Sequence, residues 1–240
     1  MANITALTTS LGHVYLNGLI QECVIHVKNN KATILAMDLS ASLFVQTTAE
    51  LELDDTTLGV SDLALLYKYS NAIKELPVNI KQKDNRLILN QKKTGILKFL
   101  LAEADLIPSY DFEWGLDQTT AEFKKHESNG MILSKEGCSK LGIIMSTFDL
   151  NSIQINVDSK GKVSACGGLE TEHQFTIQLG KVEDVDELSL RVFTKILMPV
   201  LATVGDNDTT MYLKEGEAIL ITSDVSSWVI HPIADEHDNE

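Results

Sequence analysis

LAEADLIPSYDFEWGLDQTT, residues Leu101–Thr120, separates two flanks of similar length in a chain of 240 residues. The stretch has the period of neither a helix nor a strand. It holds Pro108 and Gly115, five carboxylates, and the aromatics Tyr110, Phe112 and Trp114. Taken alone, that composition describes a solvated acidic connector between two domains. Whether it does more depends on what lies to either side.

On the N-terminal side, Ile4, Leu7, Leu11, Val14 and Tyr15 recur at helical spacing ahead of Asn17-Gly18, a stop. Gln21–Lys28 alternates, placing Cys23, Ile25 and Val27 on one face, and Asn29-Asn30 supplies a turn. Strands are predicted at Lys31–Asp38 and Ser42–Leu53, with Asp54-Asp55 breaking the pattern. Ser61-Asp62 cap a second helix to about Lys74, burying Leu63, Leu66, Tyr69 and Ile73. Strands follow at Val78–Lys83, Arg86–Asn90 and Gly95–Glu103.

The C-terminal flank repeats the order. After a short strand at Asn129–Leu133, Ser134 caps a helix to about Phe148, with Cys138, Leu141, Ile144, Met145 and Phe148 as its apolar positions. Strands are expected at Ser152–Val157, Lys162–Cys166, Glu172–Leu179 and Leu188–Val192. A helix near Phe193–Val204 must either kink at Pro199 or hold it in a late first turn. Strands at Thr209–Lys214, Ala218–Ser223 and Ser226–His231 finish the chain. Each half thus reads as helix, three strands, helix, three strands. The class is α+β, two tandem domains in which antiparallel sheet dominates and helices cover one face. The divisions fall at 1–103, 104–120 and 121–240.

At 44% hydrophobic and 22% charged residues, the composition is that of a soluble globular protein. No apolar run reaches the ~18 residues that would span a bilayer, and no membrane partner is expected. The N-terminus lacks the pattern of a signal peptide. Three scattered cysteines, Cys23, Cys138 and Cys166, form no disulfide framework and point to an intracellular setting. The net charge of −14 argues against a simple basic DNA-binding surface. The acid, however, is gathered into Glu50–Asp55, Glu103–Asp117, Glu183–Glu187 and Asp235–Glu240.

Catalytic patterns are missing: there is no phosphate loop, dinucleotide fingerprint, HExxH or CxxC. The six histidines have no ligand spacing, Asp184, Asp186 and Glu187 read as a solvated loop, and Cys138 reads as a core thiol. No enzyme, cofactor or metal is expected. What remains is a set of cations opposite the apolar stripes of the helices. Lys68 and Lys74 flank the second, Lys135 and Lys140 the third, and Arg191 and Lys195 lie at or near the start of the fourth. On one helix these are an ordinary solvated face; in a common orientation they would face phosphates.

Ala36–Gln46, AMDLSASLFVQ, resembles sliding clamps of the proliferating cell nuclear antigen type, with Ala36, Met37, Asp38, Ser40, Val45 and Gln46 in the family's places. Leu58-Gly59-Val60 entering a helix with Lys68, Leu106-Ile107-Pro108 in the connector, Ser164-Ala165-Cys166-Gly167, and His231-Pro232-Ile233 before an acidic tail extend the likeness in order. Length and order are also similar to the clamps of T-even-type bacteriophages. One departure is that the first helix, Asn3–Tyr15, carries no Lys or Arg and only His13 as a possible cation.

The resemblance implies three chains in a six-domain ring, helices lining the hole and sheets outside. The six cations named above would face duplex DNA through backbone contacts. Edge strands would join the subunits, with Leu97, Phe99, Leu101, Phe175, Ile177 and Leu179 at the interface. A DNA polymerase and a clamp-loader ATPase would insert an apolar motif into a pocket. That pocket would hold Met37, Leu39, Ala41, Leu106, Ile107, Pro108, Val229, His231 and Pro232, with Tyr110, Phe112 and Trp114 as further candidates. The implied role is a non-enzymatic homotrimer that raises polymerase processivity at replicating DNA. A clamp-fold scaffold for repair, checkpoint or transcription, and a viral structural or assembly protein, are the alternatives.

Overall fold

The computed structural model describes residues 4–92, 95–108, 121, 123, 130–168, 173–183, 186–203, 209–214 and 218–233. The chain forms two compact units, Met1–Glu113 and Trp114–Glu240. Tyr110, Phe112, Trp114, Asp117–Thr120, Asp184 and Asp235–Glu240 lie outside the described residues.

The first unit opens with α1 (Ile4–Tyr15), which buries Ile4, Leu7, Leu11 and Val14. Leu16, Asn17 and Gly18 then adopt positive φ, a conformation that ends a right-handed helix. Four antiparallel strands follow: β1 (Cys23–Lys28), β2 (Lys31–Met37), β3 (Leu43–Glu50) and β4 (Thr56–Val60). Asn29 and Asn30 both take positive φ between β1 and β2, as a two-residue hairpin turn of matching twist requires. The sheet order is β4-β1-β2-β3. Next comes α2 (Leu63–Ile73), whose first turn is capped by the Asp62 carboxylate accepting from the Leu65 N–H. The strands β5 (Asn79–Lys83), β6 (Arg86–Gln91) and β7 (Gly95–Leu100) form a second sheet in chain order. α1 packs on α2 and across β2 and β3.

β4 corrects the sequence reading, which took Leu58-Gly59-Val60 as the approach to a helix. Leu58 and Val60 are fully buried, and β4 pairs with β1 from Cys23↔Val60 to Val27↔Thr56. Asp54-Asp55 therefore marks a turn between two strands. β3 stops at Glu50 rather than Leu53. The helix begins only after Asp62.

The second unit repeats this plan behind one additional strand, β8 (Gly130–Leu133). α3 (Lys135–Thr147) is capped by the Ser134 hydroxyl accepting from the Gly137 N–H. β9 (Ser152–Val157), β10 (Lys162–Gly167), β11 (Phe175–Lys181) and β12 (Leu188–Phe193) pair in the order β12-β9-β10-β11, which matches β4-β1-β2-β3 position for position. α4 (Thr194–Ala202) precedes β13 (Thr209–Lys214), β14 (Ala218–Thr222) and β15 (Ser226–Ile230). β13 to β15 correspond to β5 to β7, with β8 added beside β13. Each repeat is thus helix, four strands, helix, three strands. Pro199 sits inside α4, so it has no N–H to donate to the carbonyl of Lys195.

Two glycines are fixed by close approach. A Cβ on Gly161, which has φ +72°, would lie 2.1 Å from the Val182 carbonyl oxygen. A Cβ on Gly59 would lie 2.5 Å from the Ala102 carbonyl oxygen, because Ala102 bridges to Gly59 and donates its N–H to the Gly59 carbonyl at 2.9 Å. By contrast, a Cβ on Gly142 in α3 meets nothing within 4 Å. Urea denaturation should therefore separate two Gly→Ala variants. Gly59→Ala should destabilise by about 1–3 kcal/mol, and Gly142→Ala should stabilise by about 0.5–1 kcal/mol.

Candidate functional site

In the first unit a groove of about 430 Å³ runs beside the start of the connector, lined by Leu106, Ile107 and Pro108 together with Val24, His26 and Thr57. The connector is held there by Ala102 on Gly59 and by a 3-10 turn, Ala104–Leu106. This turn leaves Leu106 76% exposed and Ile107 6% exposed. Ile107 is thus a wall of the groove packed into its own unit, whereas Leu106 and Pro108 are presented outward. The His26 imidazole lies 3.1 Å from the Thr57 hydroxyl, and burial pulls its pKa below the usual histidine value. Val24, His26 and Thr57 were missed in the sequence because β4 was missed; its pairing with β1 sets His26 opposite Thr57.

Met37 ends β2, and Leu39 and Ala41 belong to the turn that follows. The buried Asp38 carboxylate organises this turn by accepting the N–H groups of Ser42 and Leu43 at 2.7 Å and that of Ser40 at 3.2 Å. The Ser40 hydroxyl also donates to it. Ala41 adopts φ 52°, Met37 is half-buried, and Leu39 is 92% exposed. The satisfied turn thus holds a large aliphatic side chain in water. In the second unit, His231 is exposed and Pro232 half-buried. Val229, at 1% exposure, belongs to the core of that unit. It faces inward from a strand whose neighbour is β14, which corrects its assignment to an open pocket.

The cations are less uniform than their spacing suggested. Lys68 is exposed on α2, while Lys74 is half-buried at its C-cap, with its carbonyl accepting from the Thr5 hydroxyl of α1 at 3.0 Å. Lys135 and Lys140 are exposed on α3. Lys140 pairs with Glu136 at 2.6 Å, one turn away, and through that hydrogen bond and its charge holds Glu136 below the usual carboxylate range. Lys195 is exposed in the first turn of α4, its ammonium 5.1 Å from the centre of the Phe193 ring. Arg191 lies on β12 and donates to the Ser152 hydroxyl across β9 at 3.0 Å. It is therefore a sheet residue, not a helix-face cation. α1 adds no cation at neutral pH, since burial lowers the His13 pKa.

At the edges of the sheets, β7 and β11 are each terminal strands of their sheets. Their side chains alternate against expectation. Phe99, 3% exposed, points into its own unit, with Leu97 and Leu101 half-buried, while Ile96 and Leu100 face outward, each 56% exposed. On β11, Phe175, Ile177 and Leu179 are half-buried and Thr176 and Gln178 exposed. Phe175 packs on Phe148 at 5.4 Å. Leu179 helps close a small internal cavity with Cys138 and Leu141. Of the six, Phe99 is core; the others keep part of their surface in water.

Among the described residues no group of three His, Cys, Asp or Glu could hold a metal ion, and no helix is long and apolar enough to cross a membrane.

No protein-family model and no curated protein sequence matches the chain. Solved structures do. Proliferating cellular nuclear antigen from Entamoeba histolytica superposes with a TM-score of 0.70 at 17% identity, covering 96% of both chains. PCNA from Thermococcus kodakaraensis gives a TM-score of 0.68 at 13% identity, over 97% of this chain and 98% of the other. The DNA polymerase III subunit beta from Pseudomonas aeruginosa gives 0.69 at 13% identity, covering 99% of this chain but 65% of that one. The chain thus has the clamp fold, and spans about two thirds of the bacterial subunit's length.

Thiol reactivity checks the burial described here. Burial pushes the Cys138 thiol up to about 11 and raises that of the fully enclosed Cys23, whereas Cys166 is half-buried on a sheet face. At pH 8 a thiol reagent should label Cys166 in the native chain and the other two only after unfolding. Rapid native labelling of Cys138 would contradict the packing of α3.

Proposed function

We propose that this clamp-fold chain is one subunit of a ring that encircles duplex DNA and tethers a DNA polymerase to it. Three copies form the ring by pairing β7 of one with β11 of the next. The single observation that carries the reading is the repeat itself. Two units share one strand order, and β7 in one and β11 in the other are among the strands that end a sheet within the described residues. A head-to-tail association of unlike edges closes into a ring when the rotation permits, and it removes edges that otherwise invite aggregation.

The charge distribution is consistent with that role. A ring holds DNA by topology, so it needs only a few phosphate-facing cations, and an otherwise acidic exterior keeps DNA from the outer surface. Lys68, Lys135, Lys140 and Lys195 are the exposed helix cations, assigned here to the DNA side. Arg191 and Lys74 are left out for the geometric reasons given above. The polymerase, and a clamp-loading ATPase, would dock an apolar motif against Leu39, Leu106 and Pro108, with Val24, His26 and Thr57 forming the floor of the connector groove.

Light scattering at micromolar concentration should give three times the 26.5 kDa chain mass. The protein should stay on circular DNA and run off linear DNA; a strict monomer that is lost equally from both would refute the ring. Replacing Lys68, Lys135, Lys140 and Lys195 by Ala should leave the trimer intact and shorten retention, with a reduced salt dependence. Leu39→Ser with Leu106→Ser should weaken polymerase binding by about tenfold or more without changing the trimer. Ile107→Ala is the wrong probe, since emptying that buried site costs about 2–5 kcal/mol of stability.

A further inference from the structure

The sheet β5-β6-β7 carries a basic face to which the clamp reading gives no task. Its register sets Lys81 across from Ile88 and Ile88 across from Lys98; the next row is Lys83, Arg86 and Leu100. The third row is Asn79, Asn90 and Ile96. Ile80, Leu87, Leu89 and Phe99 point the other way into the core. The outward rows therefore hold Lys81, Lys83, Arg86 and Lys98 and no carboxylate, in a chain whose net charge is −14; at one end Lys81 borders a groove shared with Glu52, Asp54, Asp55 and Asp84. All these cations are exposed, and Ile96 and Leu100 stand among them at 56% exposure each. Lys83 and Arg86 are direct cross-strand partners, an arrangement of like charges that costs stability. Solubility alone is served by mixed signs. The nearest carboxylate in sequence, Asp84, sits in the β5–β6 turn at the end of this face.

We propose that this face docks an extended acidic and apolar segment of a protein partner. Along β7, Ile96, Lys98 and Leu100 face outward at every second residue, a repeat of roughly 6.6–6.8 Å. An extended chain presents its own alternate side chains at the same repeat, so an apolar–acidic–apolar series meets all three in step. Lys81, Lys83 and Arg86 supply the charge for flanking acids. Nucleic acid fits less well. The face has no aromatic side chain on which a base could stack, and phosphates would leave Ile96 and Leu100 uncovered. Pairing of β7 with a further strand uses its backbone edge and leaves this face open, so the docking surface exists with or without a ring.

The test uses the full-length protein and a fluorescein-labelled peptide, Gly-Ser-Leu-Glu-Leu-Glu-Leu-Ser-Gly, read by anisotropy. The peptide should bind, more weakly as salt rises. The quadruple variant Lys81→Gln, Lys83→Gln, Arg86→Gln and Lys98→Gln should bind about tenfold more weakly, as four modest charge contacts predict. A peptide with Ser in place of each Leu should lose about fivefold or more, as should Leu100→Ser with the original peptide. Lack of binding, equal binding by the quadruple variant, or equal binding of the Ser peptide would overturn the proposal. So would capture of linear duplex DNA by the wild type that the quadruple variant loses, since the face would then serve nucleic acid. The quadruple variant's mass and retention on circular DNA should match wild type, which separates this test from that of the ring.

Discussion

A β-sheet of finite width leaves a row of backbone donors and acceptors at each end, and those rows must be hydrated, covered or matched by another strand. That constraint organises this molecule more than any side-chain contact. Each unit builds two sheets of the same order, and the ends of those sheets meet different fates. β4 gains a bridge from Ala102, at the cost of allowing only glycine at position 59. β13 is covered by β8, a strand with no counterpart among the described residues of the first unit. β7 and β11 keep one bare side each, and each has a core-facing row of apolar side chains behind it. An edge backed by a firm core is a suitable place to add a strand, because its geometry is already set.

The electrostatics follow the same division between backbone and face. Among the described residues, Glu52, Asp54, Asp55, Glu183, Asp186 and Glu187 lie between strands, where hydration is cheap. The exposed helix cations sit one or two each on α2, α3 and α4, and a denser set lies on the outer side of β5-β6-β7. A net charge of −14 therefore says little about any single face. A protein can be repelled from polyanions as a whole and still offer a surface to which acid is drawn, provided the two regions lie farther apart than the ~8–10 Å over which salt screens charge.

Much of the fold was legible in the sequence because periodicity and punctuation agreed. The spacing of Ile4, Leu7, Leu11 and Val14, the caps Asp62 and Ser134, and the Asn29-Asn30 turn all located real features. The clamp class followed from the order of short motifs. β4 was hidden because its five residues include two threonines and a glycine and follow two aspartates; only pairing with β1 makes it a strand. The candidate site was read less well, for a matter of parity. On β7 the exposed apolar side chains are Ile96 and Leu100, one residue out of step with Leu97 and Phe99, and one residue reverses every side chain of a strand. Hydrophobicity gave no guidance, since Ile96 and Leu100 are as apolar as the residues that are buried. The same limit explains Val229; Ile107 does line the groove, buried behind the 3-10 turn before it. His26 and Thr57 come together only across the β1–β4 pair, which no short-range spacing could reveal.

The Ala102–Gly59 bridge has a mechanical consequence. Under the proposed function, a partner that gripped Leu106 and Pro108 would pull on the connector. That load enters the first unit where the Ala102 N–H meets the Gly59 carbonyl, a few residues from the grip. From there it passes into β4, then β1, through consecutive backbone pairs. Traction would thus be shared as shear along a sheet instead of peeling one strand from its end. The small glycine that permits the close approach serves as the anchor plate of the linkage.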